Sequence, residues 1–231
     1  LTMRGIGVLA LGALMAAGMA DAGPWVQAPG HWYAQGIITQ EDLNGADGNR
    51  MELYGEYGFA RNWHVTVKSE AVSYKSGSAF DRESLRLTMR RQLVSSKGWT
   101  AGVEAGAVYG SAVANIFSCE GFGAEGRLSG GYSGLKHGRN FYAFADAAYI
   151  SHEDGCERQR AELGYGVDLT EKIFLSQEVW IERGNRTADS DKYQTQLGYH
   201  FPWADLALGY REEFSGSFEE ESVLVAITVR R

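Results

Sequence analysis

Three stretches of the chain carry side chains able to do chemistry. Ser151-His152-Glu153 has the residue types of a hydrolytic triad, in which a base must lie within hydrogen-bond reach of the hydroxyl it activates. Neighbours on an extended strand point to opposite faces, so Ser151 turns outward and His152 inward if the chain is β there. The run Asp42-Leu43-Asn44-Gly45-Ala46-Asp47-Gly48-Asn49 offers some of the oxygens of a calcium loop. It lacks the fifth-position ligand, its glycine is displaced and no glutamate closes it, so it reads as a polar turn. His31, His64, His137, His152 and His200 show no metal-ligand spacing, and no phosphate-cradling glycine loop, zinc spacing or nucleotide fingerprint is present. The expectation is no catalytic set, no resident metal, no cofactor and no enzyme.

The third set is the ionised residues, and their placement depends on the elements beneath them. The 231 residues include 30 Gly and 3 Pro, with 12% aromatic residues and a net charge of −7. An acidic chain without a basic run is a poor nucleic-acid ligand. Few prolines among many glycines exclude collagen-like and proline-rich linker chains. One all-β domain of this length is ordinary. Residues 1–22 read as an export signal: Arg4 is the basic start, Ile6 to Ala20 is apolar, and Ala20 and Ala22 are the small residues before a cut ahead of Gly23. Residues 23–231 are then the mature domain, and the net charge remains −7 because Arg4 and Asp21 leave together.

Past Gly23, apolar and polar residues alternate with a period of two, the strand pattern. Met51, Leu53, Tyr57 and Phe59 oppose Glu52, Tyr54 and Glu56; Val223, Val225, Ile227 and Val229 oppose Ser222, Ala226 and Thr228. Twelve strands are predicted, near 30–40, 50–60, 63–75, 84–96, 99–111, 122–134, 141–152, 159–169, 172–183, 192–201, 203–213 and 220–230. Connections alternate between long polar segments (41–49, 75–83, 112–121, 153–158, 184–191, 215–219) and tight ones (61–62, 97–98, 136–140, 170–171, 202–203). Phe59, Trp63, Trp99, Phe141, Phe201 and Trp203 cluster at the tight ones. Short turns at one end, longer loops at the other and an aromatic girdle are the pattern of an outer-membrane barrel. An even strand number puts both termini at the short-turn, periplasmic end.

In such a barrel the apolar face meets lipid and the polar face lines the lumen. By parity the lumen-lining residues are Glu52, Glu56, Lys68, Glu70, Arg86, Arg90, Glu104, Glu125, Arg127, Asp146, Arg160, Glu162, Asp168, Glu178, Glu182, Asp205 and Arg211. Opposite charges at neighbouring positions stabilise, whereas an unpaired interior charge needs water beside it. Arg91 and Gln177 break the pattern by sharing the parity of lipid-facing neighbours. Arg91 is read as snorkelling to the interface, with a bulge at Arg90-Arg91 as the alternative. Cys119 and Cys156 fall in adjacent long connections of an exported chain, and a Cys119–Cys156 disulfide is predicted.

These residues resemble a Gram-negative outer-membrane β-barrel, similar in size to the twelve-stranded small porins, in architecture rather than through a specific motif. The resemblance implies a single transmembrane antiparallel up-and-down β-barrel in the cell outer membrane, with outer-membrane lipid and lipopolysaccharide around it. Porins of this kind that take acidic oligosaccharides carry basic tracks. Here Lys68, Arg86, Arg90, Arg127, Arg160 and Arg211 form a partial track, outnumbered by carboxylates. Such barrels usually end in an aromatic residue, and this chain ends Val229-Arg230-Arg231. Three functions stand. The first is a narrow channel or export conduit for small polar solutes through a mixed-charge lumen. The second is a non-conducting structural or envelope-assembly barrel with a salt-bridged interior. The third, a lipid hydrolase, needs Ser and His on one lipid-facing side. The acidic outer residues Glu153, Asp154, Asp189, Asp191, Glu219 and Glu220 suggest divalent-cation bridging to lipopolysaccharide.

Overall fold

The computed structural model describes residues 23–75, 81–110, 119–186, 189–216 and 218–231. The expected export signal lies outside them, as do parts of the connections after residues 75, 110, 186 and 216. Twelve strands form one closed antiparallel barrel: β1 Trp32–Leu43, β2 Ala46–Ala60, β3 Trp63–Tyr74, β4 Arg82–Ser96, β5 Trp99–Gly110, β6 Phe122–Lys136, β7 Arg139–His152, β8 Glu157–Asp168, β9 Ile173–Gly184, β10 Ser190–His200, β11 Asp205–Gly216 and β12 Glu220–Arg230. Each strand pairs with its neighbours in sequence, and β12 closes on β1 from Tyr33↔Arg230 to Leu43↔Glu220.

Alternation fixes which side faces in. On β12, Val223 and Val225 are each 55% exposed while Leu224 between them is fully buried. The exterior wall carries Leu53, Leu87, Met89, Leu128, Leu163, Leu197 and Leu208, and the interior carries Thr, Gln, Glu and Arg. A water-soluble barrel inverts that distribution. The interior also holds a small apolar cluster of Ile37, Phe174, Ala207, Leu224 and Ala226. Phe174 covers Gly198, and Phe144 covers Gly164, where an added Cβ would strike the ring. Glycine there lets an aromatic side chain cover the neighbouring backbone.

Two ends differ. The turn end holds the start of β1, the end of β12 and the connections 61–62, 97–98, 137–138, 169–172 and 201–204. Lys97-Gly98 and His137-Gly138 have positive φ at both residues, the geometry of two-residue turns that match strand twist. Aromatic pairs ring this end: Phe59 with Trp63 at 6.5 Å, Trp99 with Tyr132 at 5.0 Å and Phe201 with Trp203 at 6.1 Å.

The loop end departs from expectation at its first connection. The polar segment 41–49 is not a long loop: Asn44 and Gly45, both at positive φ, close β1 onto β2 in two residues. Asn-Gly flanked by alternation is the strongest short hairpin signal, and it outweighs the polarity of the segment. The segment after β7 is also shorter than expected, because Glu157 and Arg158 already pair in β8. The register shift in β4 falls between Gln92 and Val94, not at Arg90-Arg91. Arg91 stays on the exterior with its guanidinium 5.2 Å from the Trp63 ring. Gln177, the second residue that breaks the pattern, is satisfied by neighbouring strands: its amide oxygen accepts from Tyr165 Oη, and its Nε2 donates to Tyr193 Oη and Thr195 Oγ1.

Candidate functional site

Among the described residues ionised side chains concentrate in the polar interior, where they divide into clusters. At the turn end, residues 23–31 enter the barrel before β1 begins. Ala28, Pro29 and Gly30 are exposed at the mouth, Trp25 to Gln27 are half-buried, and Gly23 and Pro24 are buried inside. The Arg90 guanidinium donates to the Gly23 carbonyl and, through Nε at 2.7 Å and Nη2 at 2.5 Å, to Glu104 Oε2. The Pro24 carbonyl accepts from Thr100 Oγ1 at 3.4 Å. Gln27 donates its side-chain amide to Glu56 at 2.7 Å and its backbone N–H to His64 Nδ1 at 3.3 Å. The Trp25 ring stands edge-on to Tyr142 at 5.8 Å and Phe144 at 6.5 Å. This strap meets side chains of β2, β3, β4, β5 and β7.

Towards the loop end a second guanidinium is held by the wall alone. Arg50 Nε lies 2.7 Å from Glu41 and Nη2 3.1 Å from Glu220, with Glu52 and Glu70 each 4.0 Å from Nη1. Tyr74 Oη also donates to Glu41, and Lys192 to Glu220. Arg211 spans to Glu52 at 2.9 Å, and its guanidinium rests 5.5 Å from the Trp180 ring. The hydroxyls of Thr66 and Thr88 and the Arg90 guanidinium converge on Glu104.

Further cations are paired along the wall, with Arg158 and Arg160 near the loop-end start of β8. Arg127 reaches Glu125 at 2.9 Å and both Asp146 and Glu162 at 3.4 Å. Arg158 and Arg160 share Glu182 at 2.8 and 2.7 Å. Water reaches a different subset: the side chains of Lys68, Glu70, Lys192 and Arg160 keep 19 to 29% of their surface, against 1% for Arg90 and Arg127. Among the described residues no group of His, Cys, Asp and Glu is placed to hold a metal ion.

Outside the wall, the loop end is clasped. Cys119 and Cys156 form a disulfide 37 residues apart, and both are fully buried. Asp154 sits inside that clasp. It accepts the Cys156 N–H at 2.9 Å, the Cys119 N–H at 2.8 Å and the Glu120 N–H at 3.3 Å. The Cys156 amide, with those of Cys119 and Glu120, holds the carboxyl below its usual range. Asn185 ties the next connection in, accepting from Glu157 N–H and donating to the Gly155 carbonyl. The acidic outer residues are therefore largely engaged within the chain: Glu153 accepts the Phe122 N–H, Asp189 the Gly184 N–H, and Asp191 pairs with Arg183. Glu220 is not an outer-loop residue. It is 1% exposed inside the barrel, because β12 begins there.

Of the seventeen residues named by parity, Glu52, Arg90, Glu104, Glu125, Arg127, Asp146, Glu162, Asp168, Glu178, Glu182, Asp205 and Arg211 are buried, and Glu56, Lys68, Glu70, Arg86 and Arg160 are half-buried. They fall into separate groups rather than one track. Asp168 and Asp205 meet His200 at 3.3 and 2.7 Å at the turn end, far along their strands from Arg160 and Arg211. Glu41, Arg50, Arg158, Lys192, Glu213 and Glu220 were missed. Extending the same parity by one or two more pairs of residues along each strand finds them. The strap was missed for another reason: Gly-Pro-Trp-Val-Gln-Ala has no periodicity to mark it as interior. Ser151 and His152 are consecutive on β7, and His152 belongs to the buried face.

No known protein family and no curated protein matches the chain. Solved structures do match its fold. The NanC porin is similar with a TM-score of 0.64 at 10% identity, over 85% of this chain and 98% of that one. The COG4313 outer membrane channel from Pseudomonas putida F1 gives 0.57 at 11%, over 92% and 100%. The KdgM porin gives 0.56 at 9%, over 84% and 98%. This twelve-stranded barrel shares its fold with these porins and this outer membrane channel.

Proposed function

We propose that the chain is a porin-like outer-membrane barrel, exported by removal of residues 1–22, that passes small polar solutes through a mixed-charge interior. The carrying observation is the combination of an apolar exterior with interior cations that water partly reaches, Lys68, Arg160 and Lys192 among them. Each of these cations has a carboxylate partner, so no free positive track exists among the described residues to select strongly for anions. Zwitterionic and neutral polar solutes suit such paired walls. Similarity to porins and to an outer membrane channel supports the same reading. A planar-bilayer recording of the folded protein tests it: conductance steps are expected, and Arg86→Glu, beside Glu125 at 3.5 Å, shifts ion selectivity towards cations. Silence from a folded, correctly inserted barrel removes the reading.

A second reading is favoured by one observation. Arg90, His64, Glu41 and Glu220 are each at or below 1% exposed, so part of the cross-section is sealed. A non-conducting, ion-pair-stiffened barrel for envelope structure has that property throughout. Under it, Arg86→Glu changes stability and leaves bilayer current at baseline.

A further inference from the structure

The strap makes contacts that differ in kind from those of a structural plug. An apolar plug seals by burying hydrocarbon, whereas this one satisfies directional groups: a carbonyl on Arg90, a carbonyl on Thr100, a side-chain amide on Glu56, an N–H on His64 and a ring against Tyr142 and Phe144. Every element is what a bound peptide would present. The wall is shaped to take it. Gly131 lies where a Cβ would meet the Pro24 and Trp25 side chains, and Gly58 where it would meet the Ala28 carbonyl. The seat also has a spare polar atom, because the buried His64 Nε2 finds no hydrogen-bond partner.

We propose that this seat is a solute subsite and that Gly23–Gln27 occupies it as a built-in pseudo-ligand, the fitting solute being a short peptide with an aromatic side chain. The inference rests on the channel reading and deepens it by naming a substrate class. The ring docks edge-on to Tyr142 and Phe144, an arrangement favourable to aromatic pairs. A carbonyl or terminal carboxylate takes the Arg90 donor that Gly23 now uses, and an amide or terminal ammonium takes Glu56. Arg90 Nη1 and Glu56 Oε1 are 4.0 Å apart, so a peptide of two or three residues reaches both. Tethering gives the strap an effective concentration of about millimolar order, so a free peptide competes only when it approaches that concentration.

The test uses the full chain and its Trp25→Ala/Gln27→Ala variant, with heat-modifiable electrophoretic migration checking that both are folded. In planar bilayers the variant is expected to show at least tenfold greater open occupancy than the parent. The synthetic peptide Gly-Pro-Trp-Val-Gln-Ala, at millimolar concentration on the turn-end side, is expected to return its current towards the parent level. The same peptide with Ala for Trp is expected to have no effect. A variant that conducts but ignores the peptide overturns the pseudo-ligand inference and leaves the channel reading standing. A folded variant that never conducts overturns the channel reading; calorimetric titration with the peptide then decides the seat separately, saturable binding supporting it and absence of heat overturning it.

Discussion

Arg50 and Arg90 are both buried guanidiniums inside one barrel, and they are completed in opposite ways. Four carboxylates of β1, β2, β3 and β12 surround Arg50, so the wall saturates it. Arg90 has two carboxylates of the wall, Glu104 close by and Glu56 at 4.0 Å, and takes a further acceptor from the backbone of the strap. A cation saturated by the wall is a strut, because nothing can leave without exposing a buried charge. A cation completed by a separable segment is a place where one group can be exchanged for another. The contrast assigns stability to the loop-end half of the interior and exchange to the turn-end half.

The contrast can be broken from the strut side first. Arg50→Gln leaves Glu41 and Glu220 facing each other without their central cation, and losing one partner of a buried ionic cluster costs about 3–5 kcal/mol. Denaturant unfolding in lipid vesicles measures it, and a loss below about 1 kcal/mol would mean that Arg50 is not a strut. Replacing both cysteines by serine tests the clasp above it. In the chain-entropy account, freeing a cross-link of 37 residues removes roughly 3–4 kcal/mol. The same unfolding measurement reads it, with bilayer current unchanged.

Gln27→Ala sharpens the other side. Glu56 keeps the Tyr54 hydroxyl at 2.6 Å, so the loss of one hydrogen bond to a charged group costs about 1.5–3 kcal/mol at most. A loss as large as that of Arg50→Gln would erase the distinction between strut and exchangeable group. Arg91→Gln, which removes an exterior guanidinium from the Trp63 ring, is expected to cost only about 0.5–1 kcal/mol. The smallest effect is a pH dependence of the clasp. Because the folded state depresses the Asp154 carboxyl, its contribution is fully present above the ordinary aspartate range and is lost as pH falls through the depressed value. Amide exchange at Cys119 and Cys156, corrected for its intrinsic pH dependence, should therefore rise in acid and stay flat from neutral to alkaline pH.

The wall was legible because its code is binary: a period of two assigns every residue of a strand to one side, and Arg90 and Glu104 fall inside by parity alone. Where the code failed, another local rule had precedence. Polarity suggested a loop at 41–49, yet Asn44-Gly45 turns the chain in two residues and carries Glu41 into the interior. The shift beyond Gln92 leaves both Leu93 and Val94 exposed, which no alternating pattern produces. The groups that meet around Arg50 were beyond reach for a different reason. Glu220 and Arg50 are 170 residues apart and become neighbours only when β12 returns to β1. Parity tells the side of a residue, while its partner is set by closure and strand stagger.

That closure has one more consequence. At the foot of the seam Trp32 and Arg231 exchange both backbone hydrogen bonds, so the first strand and the last residue of the chain are rungs of one continuous ladder. Along its common length each described strand is consequently paired with two flanking neighbours, and the wall of the cylinder offers a second polypeptide no full strand edge to extend. Along the described wall recruitment by strand addition is closed off by geometry, which leaves the side chains of the greasy outer surface and the mouths for association.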